Sequence, residues 1–163
     1  MNKREVYSYL RENGVEFDVS EHEAVFNMEE LTALGLPHTE AIAKSLFVRD
    51  DKKRSYYLIT VRGDKHVNLK EFQQKYGTRK LSFGSAEDLS ALLGLTAGEV
   101  TPFGLLNDAG HRVQLCLDAD FMRSPETLIG VPPNANTATV RLRTSDLVRL
   151  LTERGCDVRT VEL

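Results

Sequence analysis

Two runs, Ser45-Leu-Phe-Val-Arg49 and Ser55-Tyr-Tyr-Leu-Ile-Thr-Val-Arg62, decide the fold. Both are rich in aromatic and β-branched residues, which fit a pleated, half-buried surface. Between them, every residue from Asp50 to Arg54 is charged, so this stretch suits an exposed turn and no core position. The three pieces together predict a β-hairpin.

Outward from the hairpin, helix and strand signals alternate. Residues 3–13 carry Val6, Tyr9 and Leu10 at helical spacing and run into Gly14. Glu16 to Ser20 alternates as a short strand, and Asn27 opens a second helix through Leu34 with a capping-box-like Glu30. Asn68 and Ser85 are placed to cap helices bearing Leu69, Phe72 and Tyr76, and Leu89, Leu92 and Leu93. Strand signals follow at 113–117, 127–131 and 137–142, then a helix from Thr144 and a last strand at 158–161. The pattern predicts an α+β domain with a mixed, largely antiparallel sheet. At 163 residues, with no linker, repeat or low-complexity stretch, the chain is expected to form one domain, residues 1–163.

Composition narrows the class. Apolar residues make up 41% and charged residues 28%, ordinary values for a globular protein. No apolar run approaches the ~20 residues that span a bilayer, and the first ten residues lack the apolar stretch of a signal peptide. The expectation is a cytoplasmic protein with no membrane partner. Cys116 and Cys156 form no CxxC and read as buried free thiols. The four histidines show no metal-ligand spacing, so no metal or other cofactor is expected.

The net charge is −3, but it is unevenly spread. From Lys44 to Lys80 there are eleven Lys or Arg against four acids, so this block carries +7 and the remainder −10. Such a block either tracks phosphates or is a solvated face. Three further features invite chemistry. Lys44 stands at the start of an apolar strand, where it either holds an anion or snorkels to water. Gly98-Glu-Val-Thr-Pro102-Phe103-Gly104 is a loop whose backbone N–H groups could approach a ligand, or a plain turn. Gly130-Val-Pro132-Pro-Asn-Ala-Asn136 is a rigid loop entering a strand, with Asn136 a donor and acceptor. GxSxG, P-loop and GxGxxG patterns are missing.

Four stretches taken in order carry a family resemblance: Ser20-Glu-His-Glu-Ala-Val-Phe26, Ala43-Lys44-Ser-Leu-Phe-Val-Arg-Asp50, Tyr57-Leu-Ile-Thr-Val-Arg-Gly-Asp64 and Val100-Thr-Pro-Phe-Gly-Leu-Leu-Asn-Asp108. The chain resembles the YbaK and prolyl-tRNA synthetase editing-domain family, which includes free-standing Ala-tRNA(Pro) deacylases, over nearly its whole length. That resemblance implies a partly barrel-like sheet flanked by helices, and a cleft for the aminoacylated 3′ end of tRNA. It implies hydrolysis of mischarged tRNA(Pro), most typically Ala-tRNA(Pro), by water attack with no metal and no covalent intermediate. The terminal adenosine's own hydroxyl would help to activate the water. The family lysine falls on Lys44 and the GxxxP loop on Gly98 to Pro102, with Gly104 completing the catalytic set. Phe103, Pro132 and Asn136 would contact substrate, and Lys52, Lys53, Arg79 and Lys80 would track the acceptor stem. Partners implied are tRNA and prolyl-tRNA synthetase.

One departure stands out. Relatives carry a His-Pro-x-x-Asn pattern where this chain has Pro132-Pro-Asn-Ala-Asn136. The departure leaves room for a deacylase of Ser-, Thr- or Cys-charged tRNA, or for a tRNA-binding module without turnover. No histidine is expected at the site, and therefore no histidine-like inflection in a pH–rate curve.

Overall fold

A short polar side chain stands before four of the five helices in the computed structural model, which describes all 163 residues. Asn2 caps α1 (Lys3–Glu12) in a full capping box with Glu5. Asn27 caps α2 (Met28–Ala33), Asn68 caps α3 (Leu69–Tyr76), and Ser85 caps α4 (Ala86–Leu93), each accepting from a backbone N–H three residues on. The caps satisfy donors that a helix start otherwise leaves free. Gly77 and Gly94 end α3 and α4 at φ 66° and 65°, the left-handed conformation that costs a side chain least when there is none. Only α5 (Thr144–Glu153) begins directly off a strand, without a side-chain cap.

The expected hairpin forms from β2 (Ala43–Asp50) and β3 (Tyr56–Arg62), pairing antiparallel with Lys44 opposite Val61 and Arg49 opposite Tyr56. The other strands are β1 (Phe17–Glu21), β4 (Leu81–Phe83), β5 (Val113–Asp118), β6 (Leu128–Val131), β7 (Ala138–Arg143) and β8 (Val158–Val161). They make a three-stranded sheet in the order β1-β7-β6 and a five-stranded sheet in the order β4-β2-β3-β5-β8. Four strand pairings are antiparallel; β3–β5 and β5–β8 are parallel. Backbone pairing between the sheets is limited to one parallel bridge, Ile42 to Gly130. The partial barrel thus reduces to two sheets touching along a seam. β4, which the sequence pattern did not announce, is a three-residue strand held against the far end of β2.

A cluster of 25 buried residues fills the space between the sheets and α1, α4 and α5, with Leu58, Leu115, Ile129, Val140 and Leu147 fully enclosed. The opposite face of the five-stranded sheet buries Val48, Ile59 and Val61 beneath Phe72 of α3. Strand alternation accounts for both layers: Leu58 and Ile59 are neighbours in sequence yet belong to different cores. Both cysteines are free and buried. Burial pushes the Cys116 thiol up to about 12 and raises that of Cys156 as well, so neither offers a thiolate nucleophile near neutral pH.

Candidate functional site at the seam of the two sheets

A cavity of about 210 Å³ opens where the sheets meet. Its walls come from four separate segments: residues 22–31 after β1, the start of β2, the turn at 97–100, and the loop and strand from Gly130 to Thr139. Lys44 and His22 are its only ionisable lining side chains, and no carboxylate faces it.

Lys44 is half-buried one residue inside β2 and lies within ion-pair distance of no acid. Eight other lysines and arginines do find such a partner (Lys3, Arg62, Lys65, Arg79, Arg123, Arg141, Arg143 and Arg149). An ammonium held at a cavity wall without a counter-charge is poised to take an anion. Beside it, the Ser45 hydroxyl is engaged with that of the buried Thr60 at 2.8 Å.

Gly98 lies in a short 3₁₀ turn, Ala97–Glu99, where Thr96 N–H donates to the Glu99 carboxylate at 3.2 Å and Glu99 N–H donates to the Thr96 carbonyl at 3.1 Å. A Cβ there would come within 3.0 Å of the Phe26 ring and 3.5 Å of the Asn136 amide. The bare backbone of Gly98 is therefore what lets three wall segments close together. Phe26 itself is 69% exposed at the rim.

Pro132 and Asn136 line the adjoining wall. The Pro132 carbonyl accepts from the Thr101 hydroxyl at 2.7 Å. Asn136 donates its amide to the Val25 carbonyl at 3.1 Å, and Val25 N–H returns a bond to the Asn136 carbonyl at 3.2 Å. One of the two amide N–H groups is thus used in closing the wall. Between them Asn134 takes the left-handed conformation, φ 60°, which asparagine tolerates, and donates to the Met1 carbonyl at 2.9 Å.

The remaining sequence candidates fall outside the cavity. Pro102, Phe103 and Gly104 fold as the start of a buried 3₁₀ turn, Pro102–Asn107, and none of them lines the wall. Phe103 is fully buried in the main core, and a Cβ on Gly104 would strike Leu95. The apolar run Pro102-Phe-Gly-Leu-Leu106 is what carries this segment inward. Lys52 and Lys53 sit on the exposed hairpin turn, six or more residues up β2 from Lys44 and so roughly 20 Å away at ~3.3 Å per residue. Arg79 joins them through a two-pronged ion pair to Asp51, 2.6 and 3.1 Å, with exposed Lys80 alongside. They make a basic corner at the far end of the hairpin.

The structure also corrects one expectation outright. A histidine does reach the site: His22 lines the cavity although it lies outside the loops singled out by pattern. β1–β7 pairing brings it there, with Glu21 opposite Ala138 and His22 N–H bonded to the Thr137 carbonyl at 2.9 Å. Thr139, 117 residues away in sequence, supplies its ring partner. No group of three or more His, Cys, Asp or Glu side chains is arranged to hold a metal ion.

Known proteins resemble the chain in sequence and in fold. Residues 22–150 match the aminoacyl-tRNA editing domain family. The chain is 35% identical to the prolyl-tRNA editing protein ProX of Acetoanaerobium sticklandii over 161 residues, 99% of this chain and 97% of the relative. It is 31% identical to prolyl-tRNA synthetase associated domain-containing protein 1 of Xenopus laevis, over 95% of this chain and 93% of the relative. In fold it resembles the solved structure of a proposed trans-editing enzyme for prolyl tRNA synthetase, with a TM-score of 0.70, 23% identity, and 99% and 96% of the two chains covered.

Proposed function

The chain belongs to the aminoacyl-tRNA editing domain family, and from that premise we propose that it is a trans-acting deacylase that hydrolyses alanine mischarged onto tRNA(Pro). The likeness to a prolyl-tRNA editing protein at 35% identity over nearly both full lengths supports the reaction and the tRNA. The observation that carries the site is the unpaired Lys44 ammonium facing a small cavity beside the bare backbone of Gly98. Residues 1–163 act as one editing domain in this reading, since its main core draws on elements from α1 to α5.

Each wall then has a task. Lys44 takes a phosphate of the tRNA 3′ end as a compact point charge. The Gly98 turn offers backbone N–H groups to the ester carbonyl, whose oxygen gains charge as water attacks. Pro132 and the Asn136–Val25 clamp bound the space left for the amino-acid side chain. Pro102, Phe103 and Gly104 serve from beneath, by anchoring the segment that carries Gly98. An aminoacyl ester is already labile, so positioning and charge stabilisation supply most of what is needed. The basic corner at Lys52, Lys53, Arg79 and Lys80 gives the acceptor stem a second hold. Prolyl-tRNA synthetase is the natural source of the mischarged tRNA, and the cytoplasm the place of action; no helix of the chain is long and apolar enough to cross a membrane.

The test is a deacylation screen against purified Ala-, Ser-, Cys- and Pro-tRNA(Pro). Hydrolysis of Ala-tRNA(Pro) with Pro-tRNA(Pro) spared is the expected result. Preference for Ser- or Cys-tRNA(Pro) would overturn the amino acid, and tight binding without turnover on any of them would overturn the enzyme.

A further inference from the structure

The cavity contains a base that the loop motifs do not announce. His22 Nδ1 lies 2.8 Å from the Glu23 carbonyl, and a carbonyl oxygen has no proton to give, so Nδ1 carries the hydrogen. In the neutral ring Nε2 is then a bare lone pair. It faces the Thr139 hydroxyl at 3.1 Å, which donates to it. Both side chains line the cavity, and Thr139 is buried, so the pair is held by the fold. The arrangement has the three parts of an activated hydroxyl: the hydroxyl, the imidazole that can take its proton, and an acceptor fixing the tautomer.

We propose that His22, through the Thr139 hydroxyl, is the proton acceptor for the water that attacks the aminoacyl ester. The proposal rests on the deacylase reading above. In the addition step, water passes a proton to Thr139 Oγ1 as the Thr139 proton moves to His22 Nε2, and the water oxygen bonds to the ester carbon. As the adduct collapses, the ester C–O bond breaks and the departing ribose oxygen takes the proton back along the same path. Water and ester give a free amino acid and a free ribose hydroxyl, with His22 restored to neutral.

Charged groups approach His22 from several elements. Glu21 and Glu23 flank it in sequence. Glu21 is already engaged by Lys3 at 2.8 Å and Tyr7 at 2.9 Å from α1. Lys44, from β2, lines the same cavity. On β7, two residues beyond Thr139, lies the buried Arg141; its Nε is 2.7 Å from the Asp18 carboxylate, though out of line for a hydrogen bond. Glu30 on α2 is occupied by the Phe26 N–H at 3.1 Å.

The experiment is single-turnover deacylation of Ala-tRNA(Pro) from about pH 5 to 9 with wild type, His22→Ala and Thr139→Val, alongside binding of uncharged tRNA(Pro). Wild type should rise with pH through a single inflection. His22→Ala should lose that inflection and about a hundredfold in rate, bind uncharged tRNA as wild type does, and regain rate with added imidazole. Thr139→Val should fall likewise but gain nothing from imidazole. An active wild type with a flat profile, or His22→Ala retaining rate and inflection, would overturn the role of His22 and leave the substrate's own hydroxyl as the base. A wild type inactive on every aminoacyl-tRNA would instead overturn the deacylase reading, and this proposal with it.

Discussion

The Thr101 hydroxyl donates to the Pro132 carbonyl across 2.7 Å and also accepts from Phe103 N–H at 3.4 Å, so one buried side chain ties two loops of the site together. The other side-chain bond between these loops is longer, from the Asn134 amide to the Phe103 carbonyl at 3.5 Å. Thr101→Val keeps the shape and removes the hydroxyl. Leaving the Pro132 carbonyl without its donor should cost about 1–3 kcal/mol. Urea unfolding should show that loss, and deacylation should fall at temperatures where the variant is still fully folded.

Lys44→Ala should leave the fold nearly untouched, because no acid in the chain pairs with that ammonium. The loss of a charge-assisted phosphate contact, about 1.5–3 kcal/mol, corresponds to roughly ten- to a hundredfold in kcat/KM. Wild-type kinetics in a folded Lys44→Ala protein would remove Lys44 from the site.

Two glycines that look alike in the sequence should part company when substituted. At Gly98 the added methyl meets the exposed Phe26 ring at 3.0 Å, and a ring on the surface can swing away. Gly98→Ala should therefore unfold within about 0.5 kcal/mol of wild type, as surface changes usually do, yet lose activity as the wall shifts. At Gly104 the methyl meets Leu95 at 2.5 Å and Leu93 at 3.3 Å inside the core. Gly104→Ala should cost about 1–3 kcal/mol by overpacking. Thermal melts beside deacylation rates separate the two cases.

That contrast shows what sequence could and could not reveal. The hairpin, the caps at Asn68 and Ser85 and the stop at Gly94 were legible because each depends on residues within a few positions of one another. Lys44 was legible for the same reason, as a charge intruding on an apolar strand. The parallel pairing of β3 with β5 and of β5 with β8 was not, since nothing local selects a partner some fifty residues away. β4 was too short to give a pattern. His22 escaped because its place depends on β1 meeting β7. Phe103 and Gly104 were misleading as ligand contacts, although the apolar run around them was itself a sign of burial.

Salt should weaken tRNA binding, with log affinity falling linearly in log salt concentration. Lys52→Gln together with Lys53→Gln should flatten that slope by about one to two units if both meet phosphates. Arg79→Gln should do less, because its guanidinium is already committed to Asp51. Filter binding between about 50 and 300 mM salt would read the slopes; a wild-type slope near zero would assign the corner to solvent.

Asp120 offers a pH test away from the site. Hydrogen bonds from Lys65, and then from Arg123, hold its carboxyl below the usual range, against a smaller opposing effect of burial. A carboxylate with a depressed folded-state pKa adds stability that is present above its unfolded value, ~3.9, and is lost as pH falls through the folded value. Wild type should therefore exceed Asp120→Asn in stability at pH 6–7, and the gap should close as pH drops below about 4. Denaturant unfolding at several pH values would show a constant gap if Asp120 were not so held.

The seam between the sheets has a consequence for the protein's own synthesis. Residues that enclose the cavity run from His22 to Thr139, and its last wall is β7, far along the chain from Lys44. A nascent chain leaving the ribosome has Lys44 and the Gly98 turn in hand long before it has a cavity to put them in. A truncated product would hold the charge but not the enclosure, so competence at the ester arrives late and all at once.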